Sequence, residues 1–380
     1  MRIGILTYDF SPPIGGLGIV AQQTKQMLET LFPEDTLIAL SPSENADDRV
    51  SSLAASRWKK SGGCPLFSLM LLFRLPSLII KHRLDLLHVH AGSGGVFLLR
   101  KPSCPLVVTA HHTYLQEAEI VFSGSLFKCL WKKFMSKLEK RTYALADRIV
   151  CVSKDTADFL VQRYDIPKSK VCVIENAVTA ASNNSLQRRD PATILFIGRL
   201  EERKGIWTLL KAIEILRVSH PSIRVRLIGR NLIGDALEKF LFEKNLTHVV
   251  TLLGHTDDAS MYRELAATTV LVVPSLLEGF GLIAAQGMLA GTCVIVSDAP
   301  GLRSIVRDHE TGLVCTAGDR TDCARAIVEA LGSPELRQKL SEKGREDARK
   351  RFSPEERAKD LHAVFETVLT PSPSPSAGEG

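Results

Sequence analysis

The stretch TVLVVPSLLEGFGLIAAQGMLAGTCVIVSD, residues 269–298, decides the fold class. Its two ends, around Val270–Val273 and Cys293–Val296, are continuous apolar runs with no polar alternation. That pattern belongs to strands buried on both faces of a parallel sheet. Between them lies a glycine-rich turn and a segment expected to be helical from near Gly281 to Gly291. Strand, turn, helix and strand at this spacing make a βαβ unit.

Working outward, the same alternation recurs. RIGILTY, LLHVH, LVVTA, RIVCVS and VCVIENA in the first half, and TILFIGRL, IRVRLIG and VVTLLG in the second, all read as strands separated by helical patterns. The stretch TAASNNSLQRRDPAT, residues 179–193, has no periodicity and reads as a linker. The expected fold class is α/β, with two Rossmann-like parallel-sheet domains facing a cleft. The first spans 1–180, a linker follows at 181–192, and the second spans 193–350. A helix at 351–370 is expected to cross back to the first domain. The low-complexity end, PSPSPSAGEG at 371–380, is expected to be disordered. Open parallel sheets bind ligands at the carboxyl ends of their strands, so the loops just after strands carry the functional reading.

Bulk composition fits this picture. The chain has 380 residues, 45% hydrophobic and 24% charged, which suits two soluble domains. A net charge of +6 is too weak to argue for nucleic acid, and suits an anionic ligand or an anionic membrane face. The eight cysteines form no CxxC pair and read as reduced, buried thiols. The opening MRIGILTYDF reads as a strand and not as a leader. The longest apolar region, LFSLMLLFRLPSLII at 66–80, contains Arg74 and Pro76 and falls short of the ~20 residues of a membrane span. The expectation is a cytoplasmic protein.

Three loops carry candidate chemistry. PPIGGLG, 12–18, opens a helix after the first strand, and Gly15 and Gly16 there allow close approach of an anion to helix amides. It is not a dinucleotide fingerprint, because the glycine spacing differs and no ribose-binding acid follows. FIGRLEERKG, 196–205, places Arg199 and Lys204 just after a strand, a planar fork and a mobile point charge suited to a diphosphate. A solvated turn with Glu201 and Glu202 as partners is the plainer alternative. In EGFGLIAAQG, 278–287, Glu278 and Gln286 flank a turn whose free amides at Gly281 and Leu282 suit a phosphate. Eight helical residues set the two acceptors ~12 Å apart. A nucleotide sugar has that shape, with sugar hydroxyls for Glu278, diphosphate for the amides and ribose for Gln286.

With these residues in view, the chain resembles a family 4 glycosyltransferase of the GT-B fold, the retaining group also described as glycosyl transferases group 1. GGLG, LLHVH, VVTAHH and VSKDTADFLVQRYDIPKSKVCVIENAV resemble its first domain. GRLEERKG and PSLLEGFGLIAAQGMLAGTCVIVSDAPGLRSIVRDHETGLVC resemble its donor-binding half. Three positions depart from the pattern: Gln286 for the second glutamate, Ser304 for an acid and Ala177 for a glycine.

The resemblance implies transfer of a sugar from a nucleoside diphosphate donor, linked to uridine or guanosine, to an acceptor hydroxyl with retained configuration. It implies no metal and no cofactor, with Arg199 and Lys204 neutralising the departing diphosphate. It also places His111, in TAHHTY, against the transferred sugar across the cleft, with His112 as the adjacent competitor. The implied acceptors are glycans or lipid-linked glycans of cell-envelope polysaccharide, lipopolysaccharide or glycolipid. A non-catalytic nucleotide-sugar-binding relative and a nucleotide-sugar epimerase are the alternatives. A zinc site of His88, His90, His111 and His112 lacks an acidic or thiolate ligand. SLFKCLWKKFMSKLEKR, 125–141, sets Leu126, Phe127, Leu130, Trp131, Phe134, Met135 and Leu138 on one face and lysines on the other. It reads either as a helix packed on the first sheet or as a basic amphipathic helix on an anionic membrane at the inner face of the cell membrane.

Overall fold

The computed structural model describes residues 1–10, 13, 15–42, 46–49, 63–121, 126–179 and 192–370, without the side chains of 49, 63, 64, 127 and 128. The linker at 181–192, apart from its last residue, and the tail at 371–380 lie outside the described residues, as do Ser125 and the side chains of Phe127, Lys128 and Cys64. The described chain divides into two compact units, 1–118, 126–177 and 354–370 in the first, and 119–121, 178–179 and 192–353 in the second.

Up to residue 177 the elements are β1 (Arg2–Leu6), α1 (Gly16–Leu31), β2 (Thr36–Ser41), β3 (Asp48–Arg49), α2 (Gly63–His82), β4 (Leu86–Ala91), β5 (Leu106–Ala110), α3 (Tyr114–Ile120), α4 (Leu126–Leu145), β6 (Arg148–Cys151), α5 (Lys154–Tyr164) and β7 (Val171–Val173). They form a parallel sheet in the order β3-β2-β1-β4-β5-β6-β7. The next elements are β8 (Thr193–Ile197), α6 (Ile206–Leu216), β9 (Arg224–Ile228), α7 (Asp235–Glu243), β10 (Val250–Gly254), α8 (Asp258–Ala267), β11 (Val270–Val273), α9 (Leu282–Leu289), β12 (Cys293–Ser297), β13 (Leu313–Cys315), α10 (Arg320–Gly332) and α11 (Pro334–Arg351). Their parallel sheet runs β10-β9-β8-β11-β12-β13. The last helix, α12 (Pro354–Leu369), belongs to the first unit. It starts at Pro354 because α11 continues to Arg351, past the boundary expected at 350.

All ten apolar runs singled out in the sequence are strands; the inner ones are largely buried on both faces between helices, and the edge strands β7 and β10 are partly exposed. The sequence reading missed β2, β3 and β13. The last two have only two and three residues, and β2 follows α1 after the short turn Phe32–Asp35. In each sheet the chain leaves the central strand, β1 or β8, in both directions. That brings the loops after β8 and β11 side by side at the carboxyl ends in the second unit.

The apolar region before β4 is a finding against expectation. It forms a helix of 20 residues, Gly63–His82, and Pro76 does not interrupt it. Its Pro65–His82 window, with mean hydropathy 1.3, is long and apolar enough to cross a membrane, and 33% of that window is buried in the unit. The α4 helix also differs from the single apolar face expected. Met135, Glu139, Thr142 and Tyr143 face inward, and Leu126, Leu130, Trp131 and Phe134 are exposed.

α12 is fastened by Ala358, Leu361 and Phe365, which enter a core with Ile3, Ile5, Leu28, Leu37, Leu86, Val107 and Val150. Phe365 is fully buried. Phe365→Ala is therefore expected to cost about 3–5 kcal/mol of first-unit stability, read as a lower midpoint in urea unfolding. An unchanged midpoint would mean that the helix end is dispensable.

Candidate active site

The loop after β8 and the loop after β11 are held together by a backbone hydrogen bond and by the Arg203 side chain. Arg203 O accepts from Leu276 N at 2.8 Å, and the Arg203 guanidinium donates to Leu277 O at 3.0 Å. Between these contacts Gly205 takes φ +70°, and a Cβ there would lie 1.7 Å from Pro274 O. Only glycine fits so close an approach. A third loop, after β12, reaches the same place, where Glu278 N donates to Pro300 O at 3.0 Å.

This junction sets Lys204 against Glu278, Nζ to Oε1 at 2.6 Å. Ser275 donates to the same oxygen at 2.8 Å, and Arg203 lies 3.8 Å from the other. Burial alone would raise the Glu278 carboxyl, but Lys204 and Arg203 outweigh it and hold it down at about 2. Burial pushes Lys204 below the ordinary lysine value, with Glu278 acting in the opposite sense. The site is thus a buried carboxylate under cationic control.

The expected juxtaposition of Arg199 with Lys204 takes a different form. Arg199 is half exposed and pairs with Glu201 at 3.0 Å, and Glu201 also holds Arg203 at 3.1 Å. A turn of 3₁₀ helix over Glu202–Lys204 sends neighbouring cations in different directions, so Arg203 points inward. The sequence reading missed Arg203 because three cations within six residues carry no label for which one turns in.

Helix α9 starts at Leu282 and ends at Leu289, shorter than the 281–291 expected. Gly281 caps it at φ 99° with no side-chain cap, and its first turn has no acidic residue. The first intrahelical donor is Ala285 N to Gly281 O. The N–H groups before it have no intrahelical acceptor, the condition for holding an anion.

Gln286 lies on the buried side of α9, 8% exposed, and its Nε2 donates to Tyr262 Oη at 3.1 Å. Tyr262 in turn donates to Thr179 O at 3.3 Å. This chain fixes the amide and leaves Oε1 as its accepting end. Tyr262, on α8, was not legible in the sequence because no motif links it to position 286. The Ser304 carbonyl accepts from the Arg351 guanidinium at 2.8 Å.

The remaining candidates lie in the first unit. Gly15 caps α1, but its N–H donates to Asp9 Oδ2 at 2.8 Å. The Asp9 carboxylate is 2.6 Å from where a Gly18 Cβ would be. The anion seat offered by Gly15 and Gly16 is therefore occupied by an acid of the chain itself, which the helix N-terminus attracts. His111, just after β5, is buried, and burial lowers its pKa to about 4. Its Nε2 lies 3.3 Å from His90 Nδ1. His88, His90 and His111 line up as adjacent rings, 4.7 and 5.6 Å apart. Among the described residues no three histidine, cysteine or acidic side chains are placed to share a metal ion.

Comparison with known proteins covers both units. The model "Glycosyl transferases group 1" matches residues 178–347, and "Glycosyltransferase Family 4" matches 14–182. The phosphatidyl-myo-inositol mannosyltransferase of Mycobacterium leprae is 27% identical over 380 residues, covering 97% of this chain and 98% of its own. Among solved structures, a sucrose-phosphate synthase from Thermosynechococcus elongatus superposes with TM-score 0.75 at 21% identity, over 97% of this chain and 99% of its own. Anabaena HepE, solved in complex with UDP and glucose, gives 0.70 at 16% identity over 97% and 100%. Two doubly wound units and a cation-held carboxylate beside an uncapped helix thus meet two family models that together span 14–347: the chain belongs to glycosyltransferase family 4, with the GT-B fold, and is a glycosyltransferase.

Proposed function

We propose that the protein transfers a hexosyl group, with retention of configuration, from a nucleoside diphosphate sugar to an acceptor hydroxyl. The donor belongs to the second unit. The single observation that carries this is the Lys204–Glu278 contact at 2.6 Å beside the uncapped start of α9. The α9 amides take the diphosphate, Glu278 takes sugar hydroxyls, and Gln286 Oε1 takes the ribose. Lys204 and Arg199 neutralise the charge that grows on the leaving diphosphate. By family resemblance His111 serves the transferred sugar, and the reaction needs no metal or other cofactor. HepE, whose structure holds UDP and glucose, supports a uridine-linked donor, and the mycobacterial relative's name supports a lipid acceptor.

A thermal-shift screen of UDP, GDP and their sugars tests the donor. A shift with one nucleotide series and turnover that survives EDTA are expected, and no shift with any of them would sink the reading. Gln286→Glu is expected to tighten nucleotide binding three- to tenfold, because a carboxylate can accept from both ribose hydroxyls. Its gain is limited because it must share the single Tyr262 proton with Thr179 O. Calorimetry showing no change would remove Gln286 from the ribose.

We further propose that the first unit rests on an anionic membrane, as a lipid acceptor requires. Leu126, Leu130, Trp131 and Phe134 on α4, and Leu66, Leu69, Phe73 and Ile80 on α2, are exposed. The two helices flank one segment, since Phe97 N donates to Ser68 of α2 and Leu98 N to Thr142 of α4. Lys133, Lys137 and Arg141 are exposed on α4. Apolar side chains beside lysines are the composition of an interfacial helix. Co-flotation with phosphatidylglycerol-containing vesicles is expected, and Trp131→Ser with Phe73→Ser should reduce it about tenfold or more. Equal flotation of wild type and variant would reject this surface.

A further inference from the structure

The ring pair His90–His111 carries more than packing. A hydrogen bond between two neutral imidazoles uses one proton, so the 3.3 Å contact of His90 Nδ1 with His111 Nε2 has one donor and one acceptor. His90 is fully buried on β4, and its other nitrogen, Nε2, is buried with no hydrogen-bond partner. Were the His90 proton on Nε2, an N–H would point into that partnerless place, the rarer and costlier kind of orphan. With the proton on Nδ1, His90 donates to His111 and leaves only an unused lone pair behind. His111 Nε2 then accepts, and the His111 proton must sit on Nδ1. That nitrogen has no partner among the described residues and is not cut off from solvent, since His111 keeps 7% exposure.

The surroundings hold the arrangement neutral. His90 is faced by His88 from its own strand and by His111 from the end of β5. His88 bonds Thr109 at 2.7 Å and packs against Phe365 of α12. Among the described residues no carboxylate and no ammonium hydrogen-bonds to either His90 or His111. The His111 backbone is pinned separately, its carbonyl accepting from Thr156 Oγ1 at 2.9 Å.

We propose that His90 is a positioning residue that fixes His111 as the neutral Nδ1–H tautomer, so that His111 meets the sugar as a hydrogen-bond donor and not as a base. The role of His111 toward the sugar rests on the function proposed above; the tautomer does not. Burial lowers the pKa of both rings, in line with a neutral pair.

The experiment is ¹⁵N NMR of the full chain with labelled histidine, assigning the His111 signals by their loss in His111→Gln. The wild type is expected to show His111 as the Nδ1–H form, unchanged from pH 5.5 to 8. His90→Leu should shift it toward Nε2–H or a mixture and lower kcat about tenfold, the worth of one neutral hydrogen bond, with KM for the donor nearly constant. His90→Asn, whose amide N–H can take the place of Nδ1–H, should restore both the tautomer and most of kcat. A wild-type His111 in the Nε2–H form, or a tautomer indifferent to His90→Leu, would overturn the proposal. If His90→Leu does not fold, the wild-type and His90→Asn spectra still decide it. Unchanged turnover in His111→Gln, with the wild type showing the Nδ1–H form, would instead count against the assignment of His111 to the sugar.

Discussion

Lys204→Ala is expected to lower kcat by about 10²–10³-fold, the scale of losing one preorganised charge aimed at a developing anion. It also removes the partner of Glu278, which is only 11% exposed. Breaking one side of a buried pair costs ~3–5 kcal/mol, and the partial exposure of Lys204 places the loss at the lower end. The two effects separate in a double variant. Lys204→Met with Glu278→Gln carries no unpaired charge, so its melting temperature should recover while turnover stays lost. If both recover, Lys204 is structural and has no part in the reaction.

The same pair sets a pH signature. Glu278 is held at about 2 against an ordinary 4.5. Its contribution is fully present above the ordinary carboxylate range, fades as pH falls from about 4.5, and is gone once pH has passed through about 2. In Lys204→Ala the carboxyl should titrate near or above its ordinary value, because burial is no longer outweighed. Binding of the nucleotide sugar by the variant should then depend on pH between 4 and 6, where the wild type is flat. A flat profile for both would show that Arg203 alone holds the charge.

Glu139→Gln is expected to abolish a large pH dependence of first-unit stability. Glu139 is fully buried on α4, and burial raises its pKa to about 8 from an ordinary 4.5. Tyr164 Oη donates to it at 2.8 Å and Tyr114 N at 3.0 Å, both to Oε2, and Oε1 has no partner. The folded chain therefore keeps a proton that the unfolded chain gives up. Stability is greatest below the unfolded value and falls as pH rises from about 4.5 to about 8, by on the order of 4 kcal/mol. Glutamine cannot titrate, so the variant should be flat across that window and more stable than wild type at pH 8.5. Urea unfolding at pH 5.5, 7 and 8.5 reads this directly, and a wild type whose stability climbs over that range would exclude a neutral Glu139. The residue anchors the start of α3 through Tyr114 N, three positions after His111, so its charge bears on the ground beneath the loop after β5.

Sequence alone determined the fold class and pointed to the loops of the candidate site. Runs such as Val270–Val273 and Cys293–Val296 are apolar throughout, and only a parallel sheet covered on both faces accepts them. Gly281 marked the turn that opens α9. Glu278, Lys204 and Arg199 were legible because they stand directly after strands, where an open sheet places its ligands. Tertiary structure decided what each of these side chains touches. Lys204 chose Glu278 and Arg203 turned inward, because two loops distant in sequence are joined by the Leu276 N–Arg203 O bond and by the Arg203 guanidinium on Leu277 O, which no local pattern encodes, while Arg199 took the nearby Glu201. It also gave Gly15 to Asp9, tied Gln286 to Tyr262, exposed half of the apolar residues of α4, and set His90 against His111 across two strands. Residue type fixes what a group is able to do, and long-range packing fixes the neighbour with which it does it.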